Sequence, residues 1–228
     1  MWNGKKKAVT FSFDDAVTQD ERVVAILNKY GLKGTFNLNS GFLGCVGGPD
    51  KYGARHDKVL PSSVKDLYDG HEVAVHTLVH PNLTQLSEET IIRQVEEDRK
   101  ALSVLVGYDV FGMAYPCGGV NNDDRVADIL RKNTPIRYSR TITSTHNFDL
   151  QENLLRFNPT IHWIEENAEE IIDKFLALQS DSPQLLYIWG HAYELDWESG
   201  AEEKFERFCK KLANKADVFY GTNREVLL

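Results

Sequence analysis

Apolar residues near the start of the chain are continuous rather than periodic, and they run directly into two carboxylates. The stretch 8–13 reads AVTFSF and is followed by Asp14 and Asp15. A strand buried on both faces of a parallel sheet has this pattern, and ligands in such folds bind beyond the carboxyl ends of the strands. Capping of the next helix is an alternative role for the pair, but the stretch 18–21 (TQDE) predicts a capping box there. The pattern therefore predicts a buried strand whose end, by turning, aims both carboxylates into one pocket.

Helical periodicity, with apolar residues every three to four positions, follows in several later segments. The clearest begins at Ser87, where two acidic residues lie near the positive end of the helix dipole. A second segment ends before Gly31, a residue typical of helix C-termini. Two further helices are predicted at 61–70 and 123–132. A third contains Ile171 and Phe175 on its apolar face, and a fourth contains Phe205, Phe208, Cys209 and Leu212.

Shorter apolar runs between these helices predict further strands. They lie at 33–38, 71–76, 110–114, 136–142 and 185–189, the last leading into Gly190 and His191. Strands that alternate with helices from end to end indicate an α/β protein with a parallel sheet. The stretch 143–163 carries no assignable pattern. The Gly-rich stretch 39–60 either lines a substrate groove or is a surface insertion, because loops this long are usually functional or mobile.

Composition narrows the class of protein. The chain has 228 residues, 42% of them hydrophobic, which is enough for one core and predicts a single domain over 1–228. A net charge of -8 disfavours a nucleic-acid partner, since phosphate binding requires clustered Lys and Arg. No stretch has the roughly twenty apolar residues of a membrane span, and no signal peptide is visible. As written, the chain is expected to be soluble and cytoplasmic, or secreted or periplasmic if a leader was removed.

Cysteine usage predicts neither a disulfide framework nor a Cys-rich metal site. Cys45, Cys117 and Cys209 are odd in number and widely spaced. Cys209 shares the periodicity of its helix and is expected in the core.

Candidate catalytic and metal-binding residues lie at the ends of several predicted strands. They are Asp14 and Asp15, the pair His76 and His80, the 115–118 turn, and His191. Two histidines at i, i+4 spacing can bind one metal ion when their segment forms a helical turn. Two histidines and one aspartate leave a coordination position open for water, which is typical of a hydrolytic metal site.

These residues, in this order, resemble the motifs of the polysaccharide deacetylases, carbohydrate esterase family four. The first motif appears as SFDD at 12–15, the second as HTLVH at 76–80, and the fifth as LYIWGH at 186–191. The resemblance implies a distorted (β/α) barrel with outer helices. It also implies a divalent metal, commonly zinc, and hydrolysis of acetyl groups from sugars.

The resemblance also implies a role for each matching residue. The implied metal ligands are Asp15, His76 and His80. The implied general base is Asp14, which takes a proton from the attacking water, and the implied general acid is His191, which protonates the leaving group. The backbone N–H of Cys117 is implied to stabilise the oxyanion.

Two departures from the family pattern lead to a further prediction. The third motif reads AYPCG at 114–118, so the Arg that usually holds the base is replaced by Ala114. Arg140 is the nearest basic residue at a plausible strand end, and we expect it to contact Asp14 or the substrate. The fourth motif should supply an Asp that orients the general acid, but Trp163 has no convincing Asp partner.

The predicted function is metal-dependent removal of acetyl groups from N-acetyl or O-acetyl sugars in oligo- or polysaccharides. Tyr115, Trp189 and Tyr193 lie beside the motifs and are candidate substrate-binding residues that could stack on sugar rings. Two alternatives stay open: a hydrolase of small linear or cyclic amides on the same fold, and a catalytically weak, metal-containing carbohydrate-binding protein.

Overall fold

The computed structural model describes residues 1–228, and its centre is a sheet of eight parallel strands. The strands are β1 (Lys7–Asp14), β2 (Gly34–Leu38), β3 (Glu72–Val75), β4 (Gly112–Ala114), β5 (Tyr138–Arg140), β6 (Ile161–His162), β7 (Gln184–His191) and β8 (Val218–Tyr220). Their order is β5-β4-β3-β2-β1-β7-β6. Strand β8 pairs with the first residues of β1, whereas β2 pairs with its last residues. All eight residues of β1 are buried, as expected for a central strand.

The curled sheet closes irregularly between its two end strands. The segment after β5 fills the gap, because the amide of Phe157 donates to Ser139 and its carbonyl accepts from Thr141. Three residues further on, the amide of Thr160 donates to Tyr187 of β7. The architecture is a distorted (β/α) barrel, which confirms the predicted fold class.

Helices pack on the outside of this sheet. They are α1 (Asp20–Lys29), α2 (Val64–Leu67), α3 (Glu88–Val106), α4 (Asp124–Asn133), α5 (Ala168–Ala177), α6 (Ala201–Leu212) and α7 (Asn223–Leu227). Single 3₁₀ turns occur at Ser40–Phe42, Leu83–Gln85 and Ala192–Asp196, among other places. Edge-to-face contacts of Phe205 with Phe11 and Phe13, at 6.0 and 5.5 Å between ring centroids, fix α6 against β1. Cys209 is buried in the same cluster, as predicted.

Local structure differs from the predictions in three places. The capping box at 18–21 is wrong: Gln19 precedes α1 and makes no side-chain cap, while Thr18 Oγ1 lies 3.4 Å from Gln19 Oε1. The unassigned stretch 143–163 contains β6, and β8 and α7 near the C-terminus were not predicted. In contrast, Ser87 caps α3 through the amide of Thr90, as expected.

No helix of the structure combines the length and the apolar character that a membrane span needs.

Candidate active site

The carboxyl ends of the strands surround a cleft of about 250 Å³. Nine of the ten site residues predicted from the sequence line it, and Arg140 is the exception. The lining residues are Asp14, Asp15, His76, His80, Tyr115, Cys117, Gly118, Ile142, Trp189, His191 and Tyr193.

The two aspartates reach the same cleft because the backbone turns sharply where β1 ends. Asp15 and Ala16 have positive φ angles of 83° and 52°, a region that non-Gly residues rarely adopt. The turn is held by the amide of Asp15, which donates to Asn37 at 3.0 Å, and by Lys58 Nζ, which donates to the Asp15 carbonyl at 2.8 Å. Both carboxylates therefore face one space instead of opposite faces of the sheet.

Asp14 is buried, and its charge is balanced from the neighbouring strands. Arg140 Nη2 lies 2.6 Å from Oδ1 of Asp14, and Asn37 Nδ2 donates to the same oxygen at 2.8 Å. Burial is the largest influence and would raise the pKa of Asp14, but the charges of Arg140, His76 and His191 together lower the pKa below its usual value. Asn37 was not predicted, although it is the register partner of Asp14 on β2.

Arg140 lies behind Asp14 rather than on the cleft wall. Its side chain is 0% exposed, Nη1 donates to the carbonyl of Thr141 at 3.0 Å, and its guanidinium packs 4.5 Å from the ring of Trp189. It therefore contacts Asp14, the first of the two contacts expected from the sequence. Since a fully buried side chain cannot touch a ligand in the cleft, the assignment of Arg140 to substrate binding is not supported.

His76 and His80 meet without the helical turn expected from their spacing. Positive φ angles at Thr77 (69°) and His80 (57°) fold the segment back on itself. The ring centroids are 4.9 Å apart. The amide of His76 donates to Asp98 Oδ2 at 3.1 Å, and Nδ1 of its ring lies 2.9 Å from the carbonyl of Ala114. Since that carbonyl can only accept, Nδ1 carries the proton and Nε2 keeps a free lone pair.

The donor atoms of Asp15, His76 and His80 fit a divalent metal ion. They lie within 4.8 Å of one another, with Asp15 Oδ1 at 3.9 Å from His76 Nε2 and 3.6 Å from His80 Nε2. Ligands of a tetrahedral zinc ion with bonds of about 2.0–2.1 Å are about 3.3 Å apart, so small side-chain shifts would complete the site. Burial lowers the pKa of His76 to about 4, which keeps the ring neutral as a metal ligand must be.

Cys117 presents its backbone rather than its thiol to the cleft chemistry. Its φ of 72° turns the amide toward His80, with 3.5 Å between the amide nitrogen and Nε2. The thiol donates to the His80 carbonyl at 3.3 Å, and burial raises its pKa above the usual value. The thiol therefore stays protonated near neutrality, which disfavours a nucleophilic role.

His191 is held by a carboxylate that the sequence analysis did not identify. Nδ1 of His191 lies 2.8 Å from Oε1 of Glu194, and Oε2 accepts from the His191 amide at 2.9 Å. Burial lowers the pKa of His191, but the negative charges of Glu194 and the two aspartates have the larger combined effect and raise the pKa to about 9. The partner is therefore Glu194, three residues after His191 in a 3₁₀ turn, and not an Asp near Trp163.

Gly190 makes this arrangement possible. A Cβ atom at this position would lie 2.2 Å from the Trp163 ring and 2.7 Å from Oε2 of Glu194. Only glycine lets both side chains pack beneath the end of β7.

The three aromatic residues of the cleft do not offer free faces for sugar stacking. Tyr115 is 1% exposed and donates its hydroxyl to Leu155, and Trp189 is 6% exposed beneath other side chains. The ring of Tyr193 stacks on His191 and on His56, with centroids 4.8 and 3.9 Å apart. They line the cleft, but the stacking role predicted from sequence is not supported by their packing.

Comparison with known proteins identifies the family. The family model for polysaccharide deacetylases matches residues 2–134, more than half of the chain. The chain belongs to the polysaccharide deacetylase family. The resemblance found in the motifs is thereby confirmed, and membership supports deacetylase activity, the hydrolytic removal of acetyl groups.

Individual relatives are distant. The chain is 25% identical over 122 residues to the peptidoglycan-N-acetylmuramic acid deacetylase PdaC of Bacillus subtilis, a match that covers 53% of this chain and 23% of that protein. A family 4 carbohydrate esterase from Streptomyces lividans, solved with acetate, has 17% identity, coverage of 96% and 93%, and a TM-score of 0.58. A CE4 family pseudoenzyme from Bacillus anthracis has 17% identity, coverage of 98% and 66%, and a TM-score of 0.57. These structural likenesses show the fold.

Proposed function

We propose that the protein is a metal-dependent deacetylase that uses Asp14 as general base and His191 as general acid. The observation that carries the proposal is the charge arrangement in the cleft. Asp15, His76 and His80 form one group of candidate ligands. Asp14 pairs with Arg140 and lies 3.9 Å from His76 Nε2, and His191 faces both aspartates. Carbohydrates carrying N-acetyl or O-acetyl groups are the proposed substrates.

Asp15, His76 and His80 would hold the metal ion, with zinc as the proposed species. When bound there, a divalent ion would lower the pKa of water and polarise an acyl carbonyl. Asp14 takes the proton of the attacking water. Its lowered pKa keeps it ionised at neutral pH, and Arg140 and Asn37 fix its orientation.

His191 donates a proton to the departing amine or alcohol. Since Glu194 accepts from Nδ1, Nε2 remains to face the cleft, and the raised pKa keeps the ring protonated near neutrality. The amide of Cys117 supplies a hydrogen bond to the developing oxyanion.

A second candidate, a hydrolase of small amides, is favoured by one observation. The cleft measures about 250 Å³, below the usual range of about 300–1,000 Å³ for ligand sites, and its aromatic residues are covered by other side chains. An extended polymer would therefore find little stacking surface next to the candidate metal ligands. The two candidates share the same residues and differ in substrate.

Acetate or amine release from acetylated chitooligosaccharides, acetylated xylan and small amides separates the candidates. Metal content and activity should fall together in His80→Ala, and chelation should abolish activity that zinc or cobalt restores. His146→Ala is the matched control, because His146 lies outside the cleft and pairs with Glu165 at 2.7 Å. Full activity of the metal-free protein would refute metal dependence, and an intact metal site without release from any substrate would favour a binding protein.

A further inference from the structure

Beside the candidate metal ligands lies a second cluster, formed by His162, Glu194 and His191, and His162 has no role in the proposed reaction. Nε2 of His162 and Nδ1 of His191 both lie 2.8 Å from the same oxygen, Oε1 of Glu194. The Glu194 side chain is 0% exposed, and both rings are partly exposed. Burial raises the pKa of Glu194, but His191 and the hydrogen bonds from both rings outweigh it and lower the pKa to about 2.

The distances in this cluster are those of charge-assisted hydrogen bonds. An N–H donor to a carboxylate lies at about 2.7–2.9 Å, whereas two ligands of one tetrahedral metal ion lie about 3.3 Å apart. Two protons therefore bridge the rings to one carboxylate oxygen. Each ring donates the hydrogen of the nitrogen that faces Glu194.

The position of His162 beside Glu194 is fixed by its strand and by a stacking contact. It lies on β6 in register with Trp189 on β7. Its ring stacks on the Trp189 ring with centroids 4.3 Å apart and planes at 25°. The Trp189 indole also contacts the Arg140 guanidinium at 4.5 Å. His162, near the proposed acid, and Arg140, which pairs with the proposed base, therefore pack against the same side chain.

We propose that His162 is a positioning residue for the general acid: by sharing Oε1 of Glu194 with His191, it fixes the His191 ring and weakens the carboxylate's hold on the His191 proton. The assignment rests on the proposed function, since only a proton donor benefits from this adjustment. A carboxylate that accepts two donors at one oxygen is less basic than one that accepts a single donor. His191 thereby keeps its proton yet releases it more readily.

The charged groups around His191 set the sign of the expected effect. Asp14 and Asp15 face it from β1, Glu194 from the following turn and His162 from β6, while the neutral rings of Tyr193 and Trp189 pack against it. Removing the His162 donor leaves Glu194 more basic. This change favours the protonated form of His191.

The pH dependence of kcat/KM in zinc-loaded protein tests the proposal. His162→Phe keeps an aromatic ring against Trp189 but loses the donor. We expect its alkaline limb to move up by about one pH unit and kcat to fall about tenfold with KM nearly unchanged, since the acid becomes weaker. His162→Gln keeps an N–H donor and should stay near the parent. Glu194→Gln should move the limb down, because the Glu194 charge no longer opposes the effect of burial on the pKa of His191.

NMR titration of the His191 ring in the same variants gives a readout that needs no activity. If neither parent nor variants release acetate or amine, the proposed function fails while the titration still reports on the shared carboxylate. An unshifted His191 titration in well-folded His162→Phe would overturn the proposal. So would two zinc ions per chain in the parent falling to one in Glu194→Gln, since the cluster would then be a metal site.

Discussion

Replacement of Arg140 by Met removes a buried charge while keeping much of the side-chain volume. Asp14 is 2% exposed and Arg140 0%, so the ion pair is buried. Breaking a buried ion pair by removing one partner costs about 3–5 kcal/mol, because the other charge is left uncompensated. Asn37 remains as a donor to Oδ1 and places the expected loss at the lower end of that range.

The same change should impair catalysis through the protonation state of Asp14. Burial is already the largest influence on Asp14, and without the opposing Arg140 charge the pKa of Asp14 should rise, so the acidic limb of the pH–rate profile should move to higher pH. Loss of orientation adds to this effect. We expect kcat to fall at least about tenfold, which corresponds to about 1.4 kcal/mol of transition-state stabilisation. Zinc content should be unchanged, since Arg140 contacts none of Asp15, His76 and His80.

The assay combines the pH–rate profile, zinc content and urea unfolding of the purified variant. Arg140→Lys keeps the charge without the fork geometry and should fall between the parent and the Met variant. Arg207→Met is the surface control, because Arg207 is largely exposed and lies 3.9 Å from Glu169. A Met variant whose turnover and acidic limb match the parent would show that Arg140 does not act on the base.

Further outcomes follow from the buried groups. Asp14→Asn should keep its zinc while losing about a hundred- to ten-thousand-fold in kcat, and loss of zinc would exchange the roles of Asp14 and Asp15. Burial raises the pKa of Asp20 to about 8, so folded Asp20 stays neutral while the unfolded chain ionises near pH 4. The free energy of unfolding of the parent should therefore fall by a few kcal/mol, as an order of magnitude, when the pH rises from about 4 to about 8. Urea unfolding of Asp20→Asn should not show this loss. Trp197 Nε1 donates to Asp50 at 2.7 Å, so Trp197→Phe should speed amide exchange in the loop around Asp50, and unchanged exchange would contradict the anchoring.

The strand ends were predictable from sequence because a central parallel strand has a strong signature. The run from Ala8 to Phe13 is apolar enough to be read as a buried strand, and its end fixes the address of Asp14 and Asp15. His76 and His191 follow β3 and end β7 for the same reason. The positions in the sheet therefore came from local pattern alone.

Short elements and caps depend on contacts that a local pattern does not contain. Strand β8 has three residues and exists because it pairs with β1, so no periodicity could reveal it. The capping box at Thr18 failed for a related reason. The preceding Val17 bridges to Lys58, and the Thr18 amide donates to the Asp57 carbonyl at 2.8 Å. The long loop thus binds the backbone at Val17 and Thr18, and these tertiary contacts override the local preference.

The base and the acid obtain their partners from positions beside those that the family motifs specify. Ala114 on β4 is the register partner of Arg140 on β5, so the guanidinium starts one strand further away, about 4.8 Å, and still reaches Asp14. Glu194 reaches His191 from the turn that follows β7. A carboxylate responds to the distance and the burial of its partner and not to the strand that supplies it. A missing motif residue therefore does not mean that the site lacks the charge which that residue would supply. Arg140 could be found by asking which basic side chain on the neighbouring strand is long enough to reach Asp14. Glu194 could have been found by the same question applied to the turn after β7.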